Sequence, residues 1–169
     1  NVQIVPPADI EFLPPTFSPD GTQIYYTVYE KYLREKMQKI GVLYQIPTLG
    51  GTPRKIIEDV DSQIAISPDG SRMVAARFSR TGGLWLRSLG QVDPLTLKGT
   101  EGAAAPFWSP DGSAIGYFDG DVVKRVDLLG TPPQTLCESP ARQARGGAWS
   151  REGVILLGGE NGPLHRVSA

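Results

Sequence analysis

Trp108-Ser109-Pro110-Asp111-Gly112 is the stretch on which the fold turns. Pro suits the second position of a type I turn because its φ is already set, and Asp suits the third. Gly then supplies the left-handed residue that closes a three-residue hairpin with a bulge. A serine ahead of the Pro can hydrogen-bond back into the turn. The same pattern occurs as Phe17-Ser18-Pro19-Asp20-Gly21 and Ile66-Ser67-Pro68-Asp69-Gly70, and in a degenerate form as Trp149-Ser150-Arg151-Glu152-Gly153. The four serines are 49, 42 and 41 residues apart. A period of about 40–45 residues with β character is that of a four-stranded propeller blade.

Strands flank each motif. After the glycines come Ile24–Val28, Met73–Ala76, Ile115–Phe118 and Val154–Leu157, β-rich and mostly apolar on both faces. A further element recurs as Leu43–Ile46, Leu84–Arg87, Val123–Val126 and Leu164–Val167. In the first three units a Gly/Pro-containing turn and a last strand follow: Lys55–Ile57, Leu95–Leu97 and Gln134–Leu136. The fold expected is all-β: a β-propeller of four four-stranded antiparallel blades per chain. The blade-like repeats span about 14–57, 63–97, 105–136 and 146–169. The fourth unit lacks its last strand, and Val2–Val5 stands at the right distance before the first motif to supply it. That strand closes the last blade either within one chain or by exchange in a dimer of eight blades, unless the chain is part of a longer propeller.

Composition narrows the function classes. The chain has 169 residues, 17 Lys+Arg against 18 Asp+Glu, and 40% hydrophobic residues. Near-neutral charge argues against non-specific nucleic-acid binding. Twenty Gly and fifteen Pro favour short elements and many turns. One Cys rules out an internal disulfide and one His a His-rich metal site. No apolar run is long enough to span a membrane as a helix, and no signal peptide is evident. A start at Asn1 reads as a processed product or an excised domain.

With three good copies and one degenerate copy of the motif in register, the chain resembles the WD40-like PD40 propeller repeat of TolB-like proteins. It is also similar to the propeller tails of bacterial Ser/Thr kinases and the propeller domains of prolyl-oligopeptidase-type peptidases. The resemblance implies a periplasmic or extracellular location and a non-enzymatic scaffold for protein–protein interaction or ligand sensing. The alternative it implies is an accessory domain of a larger enzyme. Sugar-binding propellers repeat an aromatic-plus-polar pocket in every blade, and the variable loops here do not.

The residues themselves carry no catalytic signature. His165 occupies a repeat slot held elsewhere by Tyr44, Trp85 and Lys124, and no nucleophile elbow is present. Cys137 reads as a small buried hydrophobe, and Trp85, Trp108 and Trp149 as packing between blades. No cofactor and no metal are expected. The partner is expected to be a protein or peptide, with neither nucleic acid nor membrane insertion, plus a second copy if the ring has eight blades. The loops that reach the ring face bring Asp9, Glu11, Asp59, Asp61, Glu101, Arg142 and Arg145 to a mixed rim. The first interval carries an insertion, Tyr29–Gly41, rich in helix formers. Tyr29, Leu33, Met37 and Ile40 would share one helical face, with Gly41 as C-cap, as a contact for a partner or for its own blade.

Overall fold

The computed structural model describes residues 10–30, 41–60, 62–77, 82–89, 94–139, 144–159 and 163–169. Among these residues it is all-β, arranged as four antiparallel sheets in chain order. The first sheet comprises β1 (Ile10–Phe12), β2 (Thr16–Phe17), β3 (Gln23–Glu30), β4 (Gly41–Pro47) and β5 (Arg54–Val60). Pro14 and Pro15 cannot donate ladder bonds, and here the innermost strand is split into β1 and β2, both paired with β3. The second sheet holds β6 (Ala65–Ile66), β7 (Arg72–Ala76), β8 (Leu84–Ser88) and β9 (Leu95–Thr96). The third holds β10 (Ala103–Trp108), β11 (Ala114–Asp119), β12 (Val122–Asp127) and β13 (Gln134–Glu138). The fourth holds β14 (Ala144–Trp149), β15 (Val154–Gly159) and β16 (His165–Ser168). Each is a meander, so the blade reading from the repeats stands, and the fourth blade shows three described strands. Val2–Val5 lies outside the described residues.

Three apolar seams hold the blades face to face. Tyr25, Leu43 and Val60 of blade one meet Met73, Ala75 and Trp85 of blade two. Val74, Leu84 and Leu97 of blade two meet Trp108, Ile115 and Tyr117 of blade three. Phe107, Phe118 and Val123 of blade three meet Ile155 and Leu157 of blade four. Period-2 alternation explains the pattern, because strands sandwiched between sheets bury both faces. β7 shows it best: Met73 and Ala75 face blade one while Val74 and Ala76 face blade three.

The ends of the array differ from its middle. Ile24, Tyr26 and Val28 cluster with Tyr44 and Ile46 on the face of blade one turned from blade two. Phe12 and Phe17 on that side are 45% and 56% exposed. On the far side of blade four, Leu156 is 43% exposed. Among the described residues no core cluster joins blade four to blade one.

One expectation needs correction. Tyr29 and Gly41 are ladder partners in β3 and β4, so both are strand residues, and Tyr29 is buried in the sheet rather than set on a helical face. Extended pairing and burial of the Tyr29 ring outweigh the helix propensity of the flanking sequence. Gly41 is held tight, since a Cβ there would lie 2.2 Å from the Val60 carbonyl oxygen. Leu33, Met37 and Ile40 lie outside the described residues.

Candidate functional site

The repeated motif builds one face of the array. In blade three Gly112 N–H donates to the Ser109 carbonyl at 2.9 Å, which closes the turn, and Gly112 takes φ +70°. The Ser109 hydroxyl accepts from the Ala114 amide at 2.9 Å and donates to Asp111 Oδ1 at 2.6 Å. Asp111 in turn accepts from the Ser113 amide and hydroxyl. Blades one and two repeat this relay through Ser18/Asp20 and Ser67/Asp69. The serine hydroxyls hold all three carboxyls below the ordinary range, with Asp111 at about 2. In blade four Ser150 keeps the turn, and its hydroxyl accepts from the amides of Glu152 and Val154, each at 3.3 Å. Every serine and carboxylate of the three intact motifs is therefore occupied by the turn itself.

The innermost strands line a central cavity of about 520 Å³. All four blades contribute: Leu13 and Pro14, then Ser62–Ile66, then Ala104–Trp108, then Gly146 and Gly147. None of these residues carries a charge. The channel strands are irregular where they meet it. β10 bulges between Ala104 and Phe107, and β14 between Ala144 and Gly146. Ala105 is held at φ +45°, a left-handed conformation costly for a residue with a Cβ. Being the sheet edges, these strands turn peptide groups toward the cavity.

Phe107 sets the position of the channel wall between blades three and four. Its ring lies in a slot between Gly116 of its own blade and Gly147 of the next, 2.4 and 2.5 Å from where their Cβ atoms would stand. It also meets Phe118 and the edge of Trp149, with ring centroids 6.3 and 6.4 Å apart.

The opposite face carries the rim. Asp59, at φ 64°, pairs with Arg77 of the next blade at 3.3 Å. Lys124 pairs with Asp119 at 2.6 Å. Glu101 is exposed at the loop before β10, and its carboxylate accepts from the Gly99 amide at 3.4 Å. Of the sequence-predicted rim, Asp59 and Glu101 are thus placed at blade ends on one side. Asp9, Asp61 and Arg142 lie outside the described residues. Glu11 and Arg145 are placed as backbone in β1 and β14, with side chains outside the description. Cys137 is half-buried in the seam of blades three and four, where burial pushes its thiol up. Among the described residues no three His, Cys, Asp or Glu side chains gather as metal ligands. No helix there is long and apolar enough to cross a membrane.

The sequence pointed to the charged rim and passed over the channel. Ala105, Pro106 and the paired glycines lie outside the motif, and nothing local marks them. Their signal would have been the comparison of blades, since Gly116 stands where Tyr25 and Val74 stand in the others.

No family model matches the chain, and no curated protein matches it in sequence. Solved structures do match it. A TolB-like protein from Agrobacterium tumefaciens superposes with a TM-score of 0.67 at 21% identity, over 83% of this chain and 51% of that one. The chain has a TolB-like β-propeller fold. The propeller domain of the trilobed protease from Pyrococcus furiosus, described as having an open velcro topology, gives 0.62 at 16% identity, over 88% of this chain and 48% of that one. A gluconolactonase from Xanthomonas campestris gives 0.64 at 14% identity, over 86% of this chain and 52% of that one. The chain spans about half the length of these structures. At such identities the likeness is one of fold, and function has to be argued from the site.

Proposed function

We propose that this TolB-like propeller unit is a non-enzymatic protein-interaction module. It takes an extended, uncharged polypeptide segment against the inner strands of its channel. The observation that carries the reading is the cavity of about 520 Å³, lined by all four blades with uncharged, mostly small or apolar residues of the innermost strands and the loops beside them. Peptide groups at a sheet edge pair with an added strand, and small neutral side chains let its backbone approach. The rim with Asp59 and Glu101 then selects among partners by charge.

The ring that holds this channel is completed by a second copy, with Val2–Val5 exchanged into the last blade. Support comes from Phe12 and Phe17 on the outer face of blade one and Leu156 on that of blade four, apolar side chains that stay exposed. A second reading, an accessory propeller of a larger enzyme, is favoured by the likeness to the protease propeller domain. A location outside the cytoplasm is part of the first reading and follows from the TolB-like resemblance.

Ala104 is exposed and lines the cavity, so Ala104→Arg plugs the channel without touching a seam. Peptides selected from a random display library on the wild type should lose binding to this variant at unchanged melting temperature. Equal retention by both proteins would sink the channel reading. Light scattering tests the ring. Twice 18.3 kDa is expected, reduced to one chain when residues 1–6 are deleted, and a wild-type mass of one chain refutes the two-copy ring.

A further inference from the structure

The motif turns of successive blades touch one another, except at the last seam. A Cβ on Gly70 would lie 2.7 Å from the Pro19 ring, so turn one packs on turn two. Turn two reaches turn three through Pro68 and through Arg72, whose guanidinium sits 5.5 Å over the Trp108 ring and donates to the Gly112 carbonyl at 3.3 Å. At Gly153 of turn four a Cβ would meet nothing within 4 Å. Ala114 occupies the register position of Arg72, so the side chain that fills the previous seam is missing from this one. In its place is a cleft of about 540 Å³ between the two turns, walled by Trp149 and Arg125.

Two guanidinium groups, Arg125 and Arg151, and one carboxylate, Asp111, line this cleft. Arg125 binds Asp127 through Nη2 at 2.7 Å, while its Nε is buried without a hydrogen-bond partner among the described residues. A buried, unused N–H of a cation is costly unless an acceptor reaches it. Arg151, standing where the other motifs have Pro, adds a second guanidinium at the mouth. Asp111 stays ionised and offsets one of these two charges, so the lining keeps one net positive charge, and both Asp111 oxygens are already engaged by hydroxyls of its own turn.

We propose that this cleft is a binding site for a carboxylate carried on a flat apolar body. The carboxylate accepts from Arg125 and Arg151, and the body lies against Trp149. A guanidinium ligand would restore the stacking of the preceding seam but would face two like charges. The site is on the motif face, separate from the channel, and does not depend on the function proposed above.

The full chain is titrated with benzoate, and with benzamide as the neutral isostere, following the amides of Ser113 and Gly153 by NMR. Saturable benzoate shifts are expected, with benzamide at least about tenfold weaker, as for a lost charge-assisted bond. Arg125→Gln and Arg151→Glu should each weaken benzoate on the order of tenfold. Ala114→Arg supplies the missing filler and should abolish binding. N-acetyl-phenylalanine in parallel separates a free aromatic acid from a chain terminus, and either one binding with this variant dependence supports the site. No saturable shift, equal binding of benzamide, or benzoate affinity unchanged in Arg151→Glu overturns it. Arg151 is exposed in its turn, so that last variant decides even if Ala114→Arg fails to fold.

Discussion

Gly147→Ala has a sign that separates two physical accounts of the blade three–four seam. Gly147 lies within β14 without a positive φ, so alanine is conformationally permitted there. On backbone grounds alone the substitution should stabilise by about 0.4–1 kcal/mol, because it restricts the unfolded chain. Packing predicts the reverse. The new Cβ would lie 2.5 Å from Phe107 Cε1 and 2.8 Å from Cδ1 and Cζ. The ring cannot retreat, since Gly116 bounds its other edge at 2.4 Å for the corresponding Cβ. Overpacking of this kind costs about 1–3 kcal/mol, which exceeds the backbone gain. The expected net is a destabilisation of roughly 1–2 kcal/mol and a fall in Tm of a few degrees for a chain of this size. Urea melts followed by tryptophan fluorescence measure it. Phe107→Leu removes the ring edges, so in that background Gly147→Ala should become neutral or stabilising. Gly147→Ala that stabilises the wild type, or costs that simply add in the double variant, would refute the slot.

Thr100→Val should cost about 1–3 kcal/mol in the same melts, because the fully buried Thr100 hydroxyl accepts from the Leu84 amide at 2.8 Å and donates to the Leu97 carbonyl at 2.6 Å. Arg72→Met should cost about 0.5–1 kcal/mol by removing the guanidinium from Trp108, whereas the same change at exposed Arg151 should leave the melt unmoved. The motif carboxylates set an acid limit. A folded pKa below the unfolded one means stability present above the unfolded value and lost as pH falls through the folded value. For Asp111 that window runs from the ordinary carboxylate range down to about 2. Asp111→Asn should flatten the acid limb of a pH–stability curve in this window, and an unchanged limb would show that the Ser109 relay does not select the ionised form.

What the sequence makes legible here is what the chain repeats. The Ser-Pro-Asp-Gly turns could be read residue by residue because each is a local solution, complete within six positions, and its hydrogen bonds came out as its chemistry requires. Spacing then placed the strands, and alternation placed the seams. The helical reading of Tyr29 went wrong for the converse reason. Tyr29 and Gly41 are close in sequence to good helix formers, but their partners are each other across a ladder, and local propensity does not see that.

The proposed binding surfaces lie where the repeats differ. Ala114 against Arg72, Gly116 against Val74 and Arg151 against Pro110 each look like drift when read one blade at a time. Placed in register they become absences with consequences: a filler removed, a ring admitted, a charge added. A propeller blade is stabilised mainly by its two neighbours, so a departure at one seam leaves the others intact. That independence lets blades three and four hold an open cleft while blades one to three stay closed turn on turn. Departures from the repeat consensus, taken as pairs across a seam, are therefore the better guide to binding sites in this fold than the conserved-looking motif. The motif's polar groups are already spent on their own turns.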